Sequence, residues 1–380
     1  MTGRLKVMTV VGTRPEIIRL SATIKLLDQV TDQVLVHTGQ NYDYELNEVF
    51  FEDLGLRRPD HFLEADTSSL GAALGSILAK TERVLLQEGP DAFLVLGDTN
   101  SCVSAVMAKR LRVPVFHMEA GNRSFDENVP EETNRRLIDH VADYNLCYTE
   151  HARRNLLAEG VHPARLLLTG SPMREVLEQN RDQIAASDVL ARQGLEPEGY
   201  ILVSLHREEN VDFPARLEQA LAALQAMRAE HRLPVLVSTH PRTRQRLQGA
   251  APELQAGLVF HPPFGFHDYV KLQTQARIVL SDSGTIAEES AILGFPAITL
   301  RDFIERPEAL DTGTIVTAGL DPTSVLTAAA LVLDRPRPSA PTDYGVTDTS
   351  QRVAAFITGT VHSHQRRLGL LERWPRRALG

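Results

Sequence analysis

VPVFHMEAGNRSFDENVPEETNRRLIDH, the stretch from Val113 to His140, holds the transition on which the fold reading turns. It opens on a short apolar run, Val113 to Phe116, flanked by helical patterns, as a buried parallel strand would be. Glu119, Ala120 and Gly121 follow where that strand should end. In open α/β sheets, ligands bind outside the carboxyl ends of the strands. Pro130 then suits the first position of a helix, with Glu131 and Glu132 in its first turn beside the positive end of the helix dipole. Two groups of carboxylates can therefore face one crevice. The competing reading is that Glu131 and Glu132 only complement the dipole and that Glu119 caps a loop.

The same rhythm extends in both directions. Leu5 to Val11 is a continuous apolar strand, and Gly12-Thr13-Arg14-Pro15-Glu16 turns it into a helix running to about Asp28. Arg14 and Arg19 would sit near the end of that strand, where an anion can also use the helix amino terminus. Further strands are expected at Val34 to Thr38, with a helix after Tyr42, and at Ala92 to Leu96, before Gly97-Asp98-Thr99-Asn100. Tyr144 to Tyr148 and Leu166 to Thr169 complete the set in this half. Strands alternating with helices predict a parallel, doubly wound sheet. Asp98 either caps the next helix or faces the crevice beside Glu119.

Around Gly170-Ser171-Pro172 the alternation pauses for a long polar helical stretch, Arg174 to Gln193, and a domain junction is expected there. The division predicted is 1–172 and 173–354, with a terminal helix from about Gln351 to Arg373 whose part from residue 355 onward packs back on the first domain. The second half reads as another doubly wound domain, with strands at Ile201 to Leu205, Pro234 to Thr239, Leu258 to Phe260, Ile278 to Ser281 and Ala297 to Leu300. Its strand ends are also polar: His206-Arg207 after the first, His240-Pro241-Arg242 after the second, Asp282-Ser283-Gly284-Thr285 after Ser281. Hydroxyls and backbone donors at a helix start suit a phosphate, and the Glu288-Glu289 pair suits ribose hydroxyls.

The chain of 380 residues is long enough for two domains of ordinary size. With 43% hydrophobic and 23% charged residues it is a soluble globular sequence, and no apolar run reaches the ~18 residues that would span a bilayer. The amino terminus runs straight into a strand pattern, so a cytoplasmic protein is expected. A net charge of −9 argues against a nucleic-acid surface. The two cysteines, Cys102 and Cys147, lie in apolar settings without paired spacing, which indicates core positions rather than a disulfide or zinc site.

The motifs GTRPE, HMEAG, PEETNR, HREEN, DSGTIAEE and RDFIERPEA, spread from Gly12 to Ala309, together resemble the non-hydrolysing UDP-N-acetylglucosamine 2-epimerase family. The resemblance covers nearly the whole chain. It implies a GT-B-like fold of two Rossmann-like domains with a cleft between them, a UDP-sugar substrate and a homodimer. It also implies site residues. Asp98, Glu119 and Glu131 match the family's catalytic carboxylates, and His206 its essential histidine near the diphosphate. Arg14 lies in the substrate-phosphate motif with Arg19 beside it, while Arg207, His240, Ser283, Gly284, Glu289 and Arg306 fall on or near motifs that resemble nucleotide contacts. Asn41 in GQNYDYELNE, Asn122 in EAGNRSFDENVPEETNR and Glu208 in HREENVD resemble the branch that makes UDP-N-acetyl-L-fucosamine from its C2 epimer.

Inverting C2 of an acetamido sugar requires either oxidation at a neighbouring carbon or loss of a leaving group. No G-x-G-x-x-G follows the first strand and no G-x-x-x-x-G-K-S/T loop occurs, so no dinucleotide cofactor is expected. His117-Met118-Glu119 lacks the P-C-x-x-C that would accompany a zinc deaminase, so no metal is expected either. Elimination fits the residues better: a carboxylate removes the C2 proton while UDP leaves C1, and re-addition with a proton from the opposite face inverts the carbon. A GT-B glycosyltransferase, a UDP-N-acetylglucosamine to UDP-N-acetylmannosamine epimerase and a non-catalytic UDP-sugar-binding regulator are the rival readings.

Overall fold

In the computed structural model, which describes residues 4–39, 50–126 and 129–370, the chain forms two compact units, each built on one parallel sheet flanked by helices. The first comprises 1–123, 129–179 and 346–380; the second comprises 124–128 and 180–345.

The first unit carries β1 (Lys6–Val11), β2 (Asp32–His37), β3 (His61–Phe62), β4 (Ala92–Leu96), β5 (Val115–Met118), β6 (Tyr144–Cys147) and β7 (Leu166–Leu168). Their order in the sheet is β3-β2-β1-β4-β5-β6-β7, all parallel. The second carries β8 (Ile201–Leu205), β9 (Val235–Thr239), β10 (Leu258–His261), β11 (Ile278–Ser281), β12 (Ala297–Thr299) and β13 (Val316–Thr317), in the order β10-β9-β8-β11-β12-β13. In each sheet the strand order reverses direction beside the first strand, between β1 and β4 and between β8 and β11. Such a reversal leaves a crevice at the carboxyl ends of the two strands.

These strands read as continuous apolar runs because both of their faces are covered. In β8, Ile201, Val203 and Leu205 join one hydrophobic cluster while Leu202 joins the other, and β9 and β11 split in the same way, Leu236 and Val279 facing opposite to their neighbours. Alternate side chains point to opposite faces of a sheet, so helices on both sides require apolar residues at every position. A fully buried Ile or Val stabilises by roughly 1.5–3 kcal/mol relative to exposure, which is why this pattern dominates local propensity.

The long polar helical stretch expected from Arg174 to Gln193 is made of three helices: Met173–Gln179, Arg181–Ala186 and Val189–Gln193. It breaks where Asn180 leaves helical geometry (ψ 12°) and again where Ser187 turns extended (ψ 130°). The first of these pieces packs on helix Arg14–Val30, so the chain enters the second unit one helix beyond Gly170-Ser171-Pro172. The terminal helix, Thr349–Leu368, packs against the same helix Arg14–Val30. Glu175 binds its start, accepting from Ser350 N at 2.8 Å, and Phe356 lies edge-on to Tyr144 with ring centroids 5.5 Å apart. No helix among the described residues is long and apolar enough to cross a membrane. Asn41, the rest of its motif after Gly39, and residues 371–373 lie outside the described residues.

The turn after β5 depends on a glycine. Gly121 has φ +83°, and a Cβ there would stand 2.2 Å from the carbonyl oxygen of Ala152. Neither the backbone angle nor the backbone oxygen can yield cheaply. Gly121→Ala is therefore expected to lower the urea midpoint of unfolding, with a loss of at least about 2 kcal/mol from left-handed strain plus overpacking. An unchanged midpoint would refute the close approach.

Candidate active site

The carboxyl ends of β1, β4 and β5 lie side by side in the first unit, and each presents charged groups. After β1, Gly12 and Thr13 lead into helix Arg14–Val30, with Pro15 in its first turn. The Arg14 guanidinium sits 5.6 Å from the centroid of the Phe50 ring. Glu16, only 1% exposed, turns back towards the strand ends. Its Oε2 accepts from Gly12 N at 2.5 Å and Thr13 N at 3.0 Å, and its Oε1 accepts from the hydroxyls of Thr99 and Ser101, both at 2.5 Å. One carboxylate thus spans the reversal between β1 and β4.

Asp98 follows β4 and pairs with Arg135, whose other amino group binds Glu132 at 2.7 Å. The cap of the following 3-10 turn is Thr99, so Asp98 does not cap it. Pro130–Val141 is a helix beginning at Pro130 as expected. Its two glutamates differ: Glu132 is buried against Arg135 and Arg136, whereas Glu131 is half-buried. The dipole-only reading therefore fails for Glu132, which serves two ion pairs.

Glu119 is buried directly after β5 and has φ +64°, a left-handed backbone that a non-glycine residue adopts at a cost. Such strain persists only where surrounding structure enforces it, and it concentrates at functional sites. Arg19 is its enforcing partner: the two form a buried ion pair through Arg19 Nη1 and Glu119 Oε2, and Asn122 Nδ2 donates to Oε1 at 3.3 Å. Arg19 therefore supports a carboxylate in this structure. Behind Glu119, His117 Nε2 lies 2.7 Å from the Gly97 carbonyl oxygen, which can only accept, and His117 Nδ1 lies 3.0 Å from Asp139. Burial alone would raise the Asp139 carboxyl, but His117 and Arg123 hold it below the usual carboxylate value.

In the second unit the ends of β8, β9 and β11 bring together His206, Arg207, His240, Ser283 and Gly284. Asp282 is fully buried and joins the two sides of the reversal. It accepts from His206 N at 3.1 Å, Arg207 N at 2.9 Å and Asn210 Nδ2 at 3.2 Å, and lies 3.0 Å from His206 Nδ1. Burial pushes its carboxyl up, and the His206 charge and hydrogen bonds more than offset that, so it lies below the usual range. With Nδ1 turned to Asp282, Nε2 is the ring nitrogen of His206 left for other contacts. The His206 and His240 ring centroids are 6.4 Å apart. Arg207 reaches Glu305 at 3.7 Å, and the Ser283 hydroxyl lies 3.0 Å from that of Thr285. Glu289 and Arg306 are placed deeper: Glu289 accepts from Gln273 at 2.6 Å, and Arg306 pairs with the fully buried Glu288 at 3.0 Å.

The chain as a whole matches one known group of proteins. The profile of the UDP-N-acetylglucosamine 2-epimerase family fits residues 25–358. The chain belongs to that family. The UDP-N-acetylglucosamine 2-epimerase structure from Rickettsia bellii is 44% identical with a TM-score of 0.90, covering 96% of this chain and 99% of that one. The Methanocaldococcus jannaschii UDP-GlcNAc 2-epimerase, crystallised with UDP-GlcNAc and UDP, is 34% identical with a TM-score of 0.88, covering 93% of this chain and all of that one. A UDP-2,3-diacetamido-2,3-dideoxy-D-glucuronate 2-epimerase of Pseudomonas aeruginosa is 34% identical over 93% of this chain and 99% of its own length. The paired parallel sheets are GT-B-like, as this family of isomerases implies.

Sequence reasoning passed over Glu16. Thr13 followed three residues later by Glu16 carries the pattern of a capping box, which accounts for the Thr13 contact but not for the hydroxyls of Thr99 and Ser101. Those come from a loop more than eighty residues away. Burial raises the Glu16 carboxyl from 4.5 to about 7, despite hydrogen bonds from Ser101, Thr99, Gly12 and Thr13 that favour its charged form. The folded state therefore takes up a proton as pH falls through about 7, and the unfolded chain only near 4.5. This contribution to stability is complete below the unfolded value and is lost as pH rises through the folded one, in total on the order of 3 kcal/mol. Glu16→Gln cannot titrate. Between pH 8 and pH 5 the urea midpoint of the native protein should rise relative to that of the variant; parallel midpoints would refute the raised carboxyl.

Proposed function

We propose that this chain inverts C2 of a UDP-2-acetamido sugar by eliminating and re-adding UDP. A carboxylate of the first unit takes the C2 proton as the C1–oxygen bond to the diphosphate breaks, giving a 2-acetamidoglycal and UDP. A diphosphate oxygen then re-forms the bond to C1 while a second acid protonates C2 from the opposite face. The observation that carries this reading is the pair of carboxylates on adjacent strand ends, Asp98 and Glu119, the latter held in a strained backbone by a buried arginine. Glu131 is the third carboxylate in this assignment. Opposite-face chemistry needs more than one acid or base, and the first unit supplies three.

The second unit is assigned the nucleotide. His206, oriented by Asp282, and Arg207 carry the charge to stabilise the departing diphosphate, and Ser283 and Gly284 open a helix start suited to phosphate. Arg14 adds a cation in the first unit. His240 is assigned to the same phosphate-binding group, while Glu289 and Arg306, already buried against protein partners, shape the nucleotide pocket in this reading. The assembly proposed is a homodimer, and the setting cytoplasmic.

For the sugar, the motifs around Asn122 and Glu208 support the UDP-N-acetyl-L-fucosamine branch, with synthesis of surface polysaccharide as its context. Asn122 is bonded to Glu119, so the feature that sets the motif apart reaches a proposed catalytic group. The glucosamine-to-mannosamine reading is favoured by the names of the Rickettsia and Methanocaldococcus relatives. Relatives of equal identity carry different substrates in their names, so similarity alone does not choose.

Purified protein incubated in heavy water with each candidate UDP-sugar, followed by NMR, tests the mechanism and the substrate together. Deuterium should appear at C2 of the product, and the sugar converted most efficiently identifies the branch. Glu119→Gln and Glu131→Gln should each slow turnover by roughly 100-fold or more while leaving UDP affinity nearly intact. Interconversion without solvent deuterium would refute elimination, and sugar appearing only on an added acceptor would establish the glycosyltransferase instead.

A further inference from the structure

In the first unit, Glu16 physically joins the loops that follow β1 and β4. Its four hydrogen bonds divide evenly, two from the backbone that follows β1 and two from hydroxyls that follow β4. Thr13, on one side, directly precedes Arg14; Thr99, on the other, directly follows Asp98. Thr99 and Ser101 also lie 2.8 Å apart through their hydroxyls, so the β4 loop meets Glu16 as a preformed pair. Each of these donors is tied to a single acceptor group at the point where the sheet has no strand-to-strand ladder left to hold it.

We propose that Glu16 is a positioning residue: its carboxylate clamps the β1 and β4 loops together across the strand-order reversal and so fixes Arg14 and Asp98 in register for the reaction. The proposal rests on the elimination reading for its kinetic consequence, but the clamp itself does not. A misplacement of about 1 Å in a catalytic arrangement can lower the rate by 10²-fold, so a clamp of this kind acts on turnover. The role asks for geometry and not for charge. A glutamine in the same place keeps the clamp, because its carbonyl oxygen accepts from Gly12 and Thr13 while its amide donates to the two hydroxyl oxygens. Alanine removes all four bonds and leaves the buried Gly12 N–H and the half-buried Thr13 N–H without this acceptor.

The test uses three variants of the full chain: Glu16→Gln, Glu16→Ala and the double variant Thr99→Val/Ser101→Ala. The last leaves Glu16 and the β1 bonds in place and serves if Glu16→Ala fails to fold. Amide hydrogen exchange by mass spectrometry reads the clamp without reference to activity. Glu16→Ala should speed exchange in both 12–16 and 97–101, the double variant should do so in 97–101, and Glu16→Gln should match the native protein in both. For turnover of whichever UDP-sugar the native protein converts, kcat should fall ~10- to 100-fold in Glu16→Ala and the double variant, with UDP affinity changed by less than kcat, and stay within about 3-fold in Glu16→Gln. Unaltered exchange at 97–101 in Glu16→Ala would overturn the clamp. A Glu16→Gln variant as slow as Glu16→Ala would show that the charge or proton is used directly, which overturns the positioning role. Native protein that converts no UDP-sugar defeats the functional reading and leaves the exchange result to decide the clamp.

Discussion

At the point where strand order reverses, a parallel sheet stops supplying hydrogen-bond partners to the loops that leave it, and in this chain a buried carboxylate takes over. Glu16 does so between β1 and β4, Asp282 between β8 and β11. Buried backbone N–H groups must be paired, because an orphaned one costs as much as a lost hydrogen bond and its desolvation together. One carboxylate has acceptor sites enough for several such donors. The loops that carry Arg14 and Asp98 in one unit, and His206 and Arg207 in the other, are thus fixed by the same kind of contact.

The two carboxylates nevertheless end in opposite electrostatic states, and their neighbours explain it. Glu16 receives only neutral donors, two amides and two hydroxyls, which do not offset the cost of burying a charge, so its carboxyl rises to about 7. Asp282 is as deeply buried, but His206 and Arg207 face it, and its carboxyl lies low. Asp139 repeats the second case with His117 and Arg123. Burial alone does not decide the protonation of these groups. Whether a cation shares the pocket does.

Strand and helix alternation was legible because the parallel strands, covered on both faces, leave unbroken apolar runs such as Leu5 to Val11 and Ala92 to Leu96. The short edge strands β3 and β13, of two residues each, leave no such trace. The helical composition of the polar segment from Arg174 to Gln193 does not report where Asn180 and Ser187 leave helical angles. Local pattern placed Asp98, Glu119, His206 and Ser283 at strand ends, where the sheets put them. It could not show that Arg19 would meet Glu119, or that Glu16 would meet Ser101, since those partners lie 100 and 85 residues apart in the chain.

The Glu119 turn shows why such distant partners matter. Its left-handed backbone is unfavourable by itself, and the residues around it are those that keep it in place. Gly121 allows the chain to pass within contact of Ala152; Gly97, itself at φ +74°, ends β4 beneath the Glu119 carboxylate; Arg19 and Asn122 each hold one of its oxygens. Removing one partner of a buried ion pair costs roughly 3–5 kcal/mol, more than a left-handed residue stores, so the Arg19 contact is large enough to enforce the strain. Relaxing the backbone angle or rotamer would break the contacts that Arg19 and Asn122 make with this carboxylate. The motif EAG thus encodes a fixed direction for a charge, with the glutamate supplying the charge and the glycine the room for the turn that aims it.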